Sequence, residues 1–513
     1  MGSKSIGKNT LIMYFRMFFQ MSISLYTSRV VLNTLGIDDF GIYGVVGGVV
    51  ALFHVINGTL RNAVTRFITF EVGKGAVESV NRIFSLTILI YLFVIIVVLI
   101  LGETIGLWFI STQMNFPESR MTAIFWVYQI SLIIFCIDMI KVPLESIIIS
   151  YEKFNFFSIL GVVESILYLM ATLGLTSFGA DKLITYSFLM LMVSFVSLLL
   201  FCKYSIKTTT AARYIFFWSK EQALELISFI GWSLLSSVAI IGSNQGVNII
   251  INIFLGVTVN AAVAIANQVN SAVFRFVTNF QTVFTPQITK SVAKDDIEEA
   301  LSLVYLTSKL SYYLLMLFVI PLFFCLPFLI SKWLIIFPEH TIEFAKIILL
   351  FSLIDSLAGP LYVTALALGK VKPYQLGLSL IVFLNLPIIY LLLSFGFSPV
   401  WVFIVKVIFN FVAYIFRILY LRFRINFSIK DYAANVAFPV TVVTIASIFL
   451  TFFFSIALNL HEWNGVILFI LASCLATSIV IFLGGTKKSE REFIFQFFKL
   501  NLKKSRYLIL KKH

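Results

Sequence analysis

Charge is scarce in this sequence. Asp, Glu, Lys and Arg make up 12% of the 513 residues, about half the share of a soluble globular domain. A water-facing surface of ordinary makeup is therefore excluded. Cysteine is scarcer still: Cys136, Cys202, Cys325 and Cys474 stand singly within or beside apolar runs. That spacing fits neither a disulfide framework nor a metal cluster, and the four histidines are too scattered to make a metal site. The stretch Gly2-Ser3-Lys4-Ser5-Ile6-Gly7-Lys8-Asn9 approaches a phosphate-binding loop. Asn9, however, stands where a hydroxyl is required, and no strand precedes it. The N-terminus lacks a short apolar region ending in a small-residue cleavage site, so the first helix is expected to be retained. A membrane-embedded glycosyl- or acyltransferase would need a clustered acid–base or nucleotide site. None is found, and the chain does not read as an enzyme.

What the sequence has in abundance is apolar length. Sixty per cent of its residues are apolar. A bilayer-crossing helix needs ~20 such residues, and about fourteen stretches qualify. Lipid demands that every backbone polar group be paired internally, which leaves helices or a closed barrel. Runs this long without two-residue alternation exclude the barrel. The fold class is all-α, a polytopic membrane protein. The expected spans are 10–35, 40–56 (continuing past Arg61), 83–110, 121–149, 156–178 and 183–201, then 226–254, 259–284, 301–330, 342–368, 376–395 and 400–420, and finally 434–458 and 466–483.

Loop charge alternates along these spans. One side collects Lys4 and Lys8, Arg66 with Lys74 and Arg82, Lys153, the basic 203–220 segment, Lys290 and Lys294, Lys370 and Lys372, Arg422 and Arg424, and the tail. The other side has short loops with Asp38, Asp39, Glu103, Glu118, Asp181, Glu339 and Glu462. Fourteen spans then place both termini in the cytoplasm. The net charge of +14 is topology and attraction to anionic lipid; no nucleic-acid face is formed. Sliding the chain by 220 residues lays Leu35-Gly36 on Leu255-Gly256, Thr65 on Thr285, Ile68-Thr69 on Ile288-Thr289 and Leu86-Thr87 on Leu306-Thr307. An even number of spans per unit makes this a parallel repeat. The expected organisation is a six-helix lobe over 1–204, a basic linker over 205–225 and a second six-helix lobe over 226–424. Two further membrane helices over 425–485 and a basic amphipathic tail over 486–513 follow.

Several spans carry polar residues at spacings of three, four or seven, which put them on one helical face. The first has Arg16, Gln20, Ser24 and Thr27; the second His54, Asn57, Arg61 and Thr65. The seventh has Asn244, Asn248 and Asn252, the eighth Asn267, Ser271 and Arg275, and the twelfth Lys406, Asn410 and Arg417. Each stripe has a plain alternative. Arg16, Arg29, Arg61 and Arg417 lie where they could snorkel to headgroups, and asparagine rows can simply join helices. Arg275 and Lys406 lie deeper, which favours a wet interior. In the fourth span Asp138, Lys141 and Glu145 form either a self-neutralising ladder or part of an ion path. Asp355 and Glu164 look like solitary intramembrane carboxylates, the usual material of H+ or Na+ coupling, unless each neutralises an arginine. Without a nucleotide motif, transport of any cargo would draw on an ion gradient or on the cargo's own.

The segment Leu35-Gly36-Ile37-Asp38-Asp39-Phe40-Gly41-Ile42-Tyr43, after a first helix ending Ser28-Arg29-Val30-Val31-Leu32-Asn33-Thr34, resembles the opening of bacterial oligosaccharide flippases. These are the Wzx-type polysaccharide biosynthesis proteins of the multidrug/oligosaccharidyl-lipid/polysaccharide exporter superfamily. The resemblance is strong over the first two spans and weak over the rest, and drug exporters share the ancestry. It implies two lobes around a cavity and alternating access in the bacterial inner membrane. The cargo it implies is an undecaprenyl-diphosphate-linked oligosaccharide bound for O-antigen or capsule, handed on to polysaccharide polymerase machinery. Membrane lipids would be the other partner, and no cofactor is implied. By helix and depth, Arg275 and Lys406 match the family's substrate-contacting cations; Arg29 and Arg61 match by position, and Arg16, Asn244, Asn248 and Asn267 complete the expected cavity lining. Asp355, Glu164 and Asp138 are the expected ion-coupling candidates. A cation-coupled multidrug or metabolite exporter is the alternative.

Overall fold

A computed structural model describes residues 3–491 apart from 52–53, 76, 113–117, 176–180, 209–214, 216, 335–336, 426 and 488–489. Some helical side chains, among them Arg29 and His54, also lie outside the described residues. Most of the expected tail lies outside them too. Among the described residues the chain is helical with no strand, as apolar length without alternation requires.

The helices are α1 (Ser3–Ala51), α2 (His54–Lys74), α3 (Val77–Leu101), α4 (Leu107–Thr112), α5 (Met121–Ser150), α6 (Phe154–Gly174), α7 (Lys182–Thr208) and α8 (Lys220–Ala293). They continue as α9 (Ile297–Trp333), α10 (Thr341–Ala367), α11 (Val371–Ser394), α12 (Val400–Ile425), α13 (Ile429–Tyr432), α14 (Phe438–Ala457) and α15 (Trp463–Val480). One π-turn joins α3 to α4, another joins α13 to α14, and a third closes α15. Ten helices are long and apolar enough to cross a bilayer by length and composition among the described residues. The remaining expected spans, 10–35, 40–56, 121–149 and 259–284, are helical over their described residues as well.

Two expected turns survive in altered form. In α1 the backbone stays helical through the residues read as a loop, and the break narrows to Gly36 (φ 81°, ψ 173°), a conformation essentially reserved for glycine. α8 carries helical hydrogen bonding over 74 residues, which drawn straight would run ~110 Å, several bilayer cores long. It is not straight. The Asn260 amide donates to the Asn248 carbonyl at 3.2 Å, 12 residues back, a separation of ~18 Å along a straight helix. The chain therefore doubles back between these residues, at the place the sequence assigns to Leu255-Gly256.

The chain divides into two compact units, Leu11–Leu234 and Leu235–His513 with Met1–Thr10, so the boundary lies inside α8. In the first unit α5 is central, packed on α2, α3 and α7. In the second, α10 lies between α9 and α12, α11 covers α12, and α14 and α15 pack on α9. Outward faces are apolar at helical spacing: Phe93, Ile96 and Ile100 on α3, Phe449, Phe453 and Ile456 on α14, and Leu468, Leu471 and Leu475 on α15 are all exposed. Apolar surface this continuous requires lipid. The protein is a multi-pass membrane protein.

Candidate functional site

Within the helices of the first unit a network of charges centres on the buried Lys141 and Glu145. α5 turns Asp138, Lys141 and Glu145 toward its neighbours, α2 supplies Arg61, α6 Glu164 and α1 Arg16. Arg61 pairs with Glu145 at 2.6 Å. Lys141 holds Glu164 at 3.0 Å and Asp138 at 3.2 Å, and the Ser197 hydroxyl of α7 donates to Glu164 at 3.0 Å. Arg16 lies 4.1 Å over the Phe157 ring. Its Nε donates to the Gln20 side chain, whose amide donates in turn to the Gly161 carbonyl, both at 3.1 Å. A Cβ at position 161 would overlap the Arg16 guanidinium in its present place. Arg61 and Lys141 thus pair with three carboxylates, while Arg16 is held by a ring and an amide, and pairing is how charge taken from water is tolerated. The expected ladder along α5 exists only in part, because Glu145 is taken by Arg61 from another helix.

The second unit encloses a cavity of about 480 Å³, within the range of small-molecule sites, roughly 300–1,000 Å³. Its wall combines Asn244, Asn267 and Asn270 of α8, Asp355 and Tyr362 of α10, Asn385 of α11, and Lys406, Asn410 and Arg417 of α12. Phe351, Phe403 and Phe409 supply apolar surface. Lys406 donates to Asn244 at 3.0 Å. Asn410 donates to the Phe351 carbonyl at 3.0 Å, and Asn270 accepts from Ser352 at 2.7 Å. Arg417 stands 3.9 Å from Asp355. The Asn385 Oδ1 is buried without a hydrogen-bond partner among the described residues. The lining therefore offers cations, amides and one carboxylate, which suits an occupant that is hydroxylated and carries negative charge.

Of the residues expected from sequence, Asn244, Asn267, Lys406 and Asp355 line this cavity. Arg16, Arg61, Asp138 and Glu164 belong to the network of the first unit. Asn248 bonds Gln245 at 3.2 Å instead. Arg275 is exposed on α8 and is absent from the cavity lining. The Arg29 side chain lies outside the described residues. None of the three carboxylates read as solitary or path-forming is alone: Asp355 has Arg417, and Glu164 and Asp138 share Lys141. Sequence reasoning missed Tyr362, Asn270 and Asn385. A lone amide in the apolar run of α11 was the available signal for the last.

At the loop ends of the first unit, Arg120 clamps two acids. It meets Asp39 at 2.9 and 2.5 Å and Asp181 at 2.5 and 3.3 Å. Burial would raise the Asp181 pKa, but the hydrogen bond from Arg120 and those from the Ile184 and Leu183 N–H groups outweigh it and hold it below the usual carboxylate range.

The fold of these helices is also found in solved transporter structures. The chain is similar to a multidrug resistance MATE family transporter of the MOP superfamily in an outward-facing conformation (TM-score 0.71, 16% identity, 83% of this chain and 96% of that one). It is equally similar to a MOP superfamily transporter from Pyrococcus furiosus, described by a reverse polarity of its binding pocket that suggests a different function (TM-score 0.71, 16% identity, the same coverage). A MATE protein in the bent conformation matches 84% of this chain and 98% of its own at TM-score 0.73 and 15% identity. At such identities the likeness is one of fold. No protein-family model and no curated protein sequence matches the chain.

Proposed function

We propose that this protein is a flippase that carries a lipid-diphosphate-linked oligosaccharide from the inner to the outer leaflet of the bacterial inner membrane by alternating access, for surface polysaccharide assembly. The observation that carries this reading is the lining of the second unit's cavity, with Lys406 and Arg417 against the single carboxylate Asp355, among five asparagines. A diphosphate-sugar headgroup cannot cross hydrocarbon unaided, because its charge and hydroxyls would both go unsatisfied. Cations meet the charge and amides meet the hydroxyls. A cationic drug would be met by carboxylates and aromatic faces, and here the cations Lys406 and Arg417 outnumber the one carboxylate of the lining. Coupling to H+ or Na+ would act through Asp355, Glu164 or Asp138. Each has a cationic partner, so an entering ion would compete with that partner.

The second reading, a multidrug or metabolite exporter, is favoured by the MATE fold itself. Reconstitution into liposomes separates the two. With a fluorescent undecaprenyl-diphosphate glycan in the bilayer, the flippase reading expects the protein to speed exposure of the glycan to an external glycosidase while a cationic dye stays put. Dye transport without glycan movement overturns it in favour of the exporter.

A further inference from the structure

Lys309 of α9 is among the largest fully buried side chains of the protein, 1% exposed. A lysine buried to that degree needs a counter-charge. Its counter-charge comes from beyond the last membrane helix: Glu490 Oε2 lies 2.7 Å from the Lys309 ammonium. The segment bearing Glu490 is fitted to this place at several points. One turn further along α9, the Tyr313 hydroxyl donates to the Gly485 carbonyl at 3.2 Å, and a side chain at 485 would collide with the Tyr313 ring. The Lys487 N–H donates to the same Glu490 oxygen at 2.8 Å. The Lys487 ammonium donates to Asn435 in the π-turn below α14. Arg491 donates to the Leu483 carbonyl at 2.9 Å and to Thr486 at 3.3 Å.

The charge pattern makes the match selective. After Gly485 the sequence holds nine Lys and Arg but two acidic residues, Glu490 and Glu492. A basic segment and a lysine repel one another at long range, so Lys309 is met through one of the rare acids, Glu490, and not through bulk charge.

We propose that the N-terminal half of α9 is a docking surface for the chain's own residues Gly485–Lys487 and Glu490–Arg491. In this proposal the Lys309–Glu490 pair is a releasable lock, tying α9 to the base of α14 and to the end of α15. While it is closed, the two additional helices cannot shift against α9. When Glu490 is withdrawn, the strap lifts, Lys487 leaves Asn435, and the π-turn at Ala433–Ala437 loses its brace. The proposal concerns the restraint of the second unit and does not depend on what the protein carries.

The test uses the full chain, purified and held in lipid nanodiscs, with two readouts. These are trypsin cleavage after Lys487 and Arg491, and backbone hydrogen exchange of residues 433–445. Lys309→Met removes the buried charge along with the lock, so it keeps the fold. It should speed cleavage at least about tenfold and raise exchange by a similar factor. Glu490→Gln should do the same, and the swapped pair Lys309→Glu with Glu490→Lys should restore much of the protection. Unchanged cleavage and exchange in Lys309→Met would overturn the lock. So would wild-type protein cut as fast as a free peptide of residues 480–513, or a swapped pair no better protected than either single variant. Faster cleavage with unchanged exchange of 433–445 would overturn the restraint of α14.

Discussion

Individual residues decide whether a charge inside this protein is structural or available. Glu145 is buried, but its partner Arg61 is 38% exposed and Lys141 also lies near the carboxylate, so Arg61→Ala leaves Glu145 only partly compensated. The cost should fall below the ~3–5 kcal/mol of breaking a fully buried pair, and the detergent-solubilised protein should melt a few degrees lower. Arg61→Ala with Glu145→Leu should recover most of the loss; an equal drop in the double variant would show that Arg61 stabilises through something other than Glu145. Lys406 is different, because among the described residues its hydrogen bond goes to an amide and not to an acid. Lys406→Gln should leave the melting point near wild type yet cut surface polysaccharide in a complementation assay roughly 10- to 100-fold, the value of a hydrogen bond to a charged group at 1.5–3 kcal/mol. Normal polysaccharide in that variant would remove Lys406 from the site. The sequence made the helical face of Lys406, Asn410 and Arg417 legible, since side chains four and seven apart must share a side. It could not say that Arg417 turns inward to Asp355, because snorkelling and ion pairing look alike until the neighbouring helix is placed. Arg61 and Glu145 lie 84 positions apart in sequence, and no local spacing links them.

At the scale of elements, boundaries were clearer than geometry. Turn residues signalled the breaks at Gly36 and near Gly256, but only the backbone shows that Gly36 alone leaves helical dihedrals. Gly36→Ala should therefore cost about 1–3 kcal/mol of strain, read as a lower melting point; no change would mean the break relaxes freely. The Arg120 clamp joins the loop ends before α5 and α7 to the start of the second helical segment of α1, just past Gly36. Its pH dependence has a definite sign. The Asp181 pKa is depressed in the folded protein, so its contribution is fully present above the unfolded value of about 3.9 and fades as pH falls through the lower folded value. Wild type and Arg120→Ala should differ in melting temperature by a constant amount from pH 8 to 5, with the gap closing below about pH 4. A gap that closes between pH 8 and 6 would assign the dependence to another group.

For the whole molecule, composition was sufficient for the fold class, because a chain this apolar has few ways to satisfy its backbone in lipid. The site was less legible. Arg275 and Lys406 were read together by depth, yet the cavity of the second unit contains Lys406 and not Arg275. Depth along a helix does not fix which way a side chain faces, and two of the cavity's amides sit where no stripe announced them. The central claim is that this polarity serves a negatively charged sugar-lipid. It is tested most directly by the rate at which a fluorescent undecaprenyl-diphosphate glycan crosses liposomes holding the purified protein. The account predicts exchange between leaflets well above protein-free liposomes, lost in Lys406→Gln, with no transport of a cationic dye. Glycan exchange equal to that of empty liposomes would contradict it.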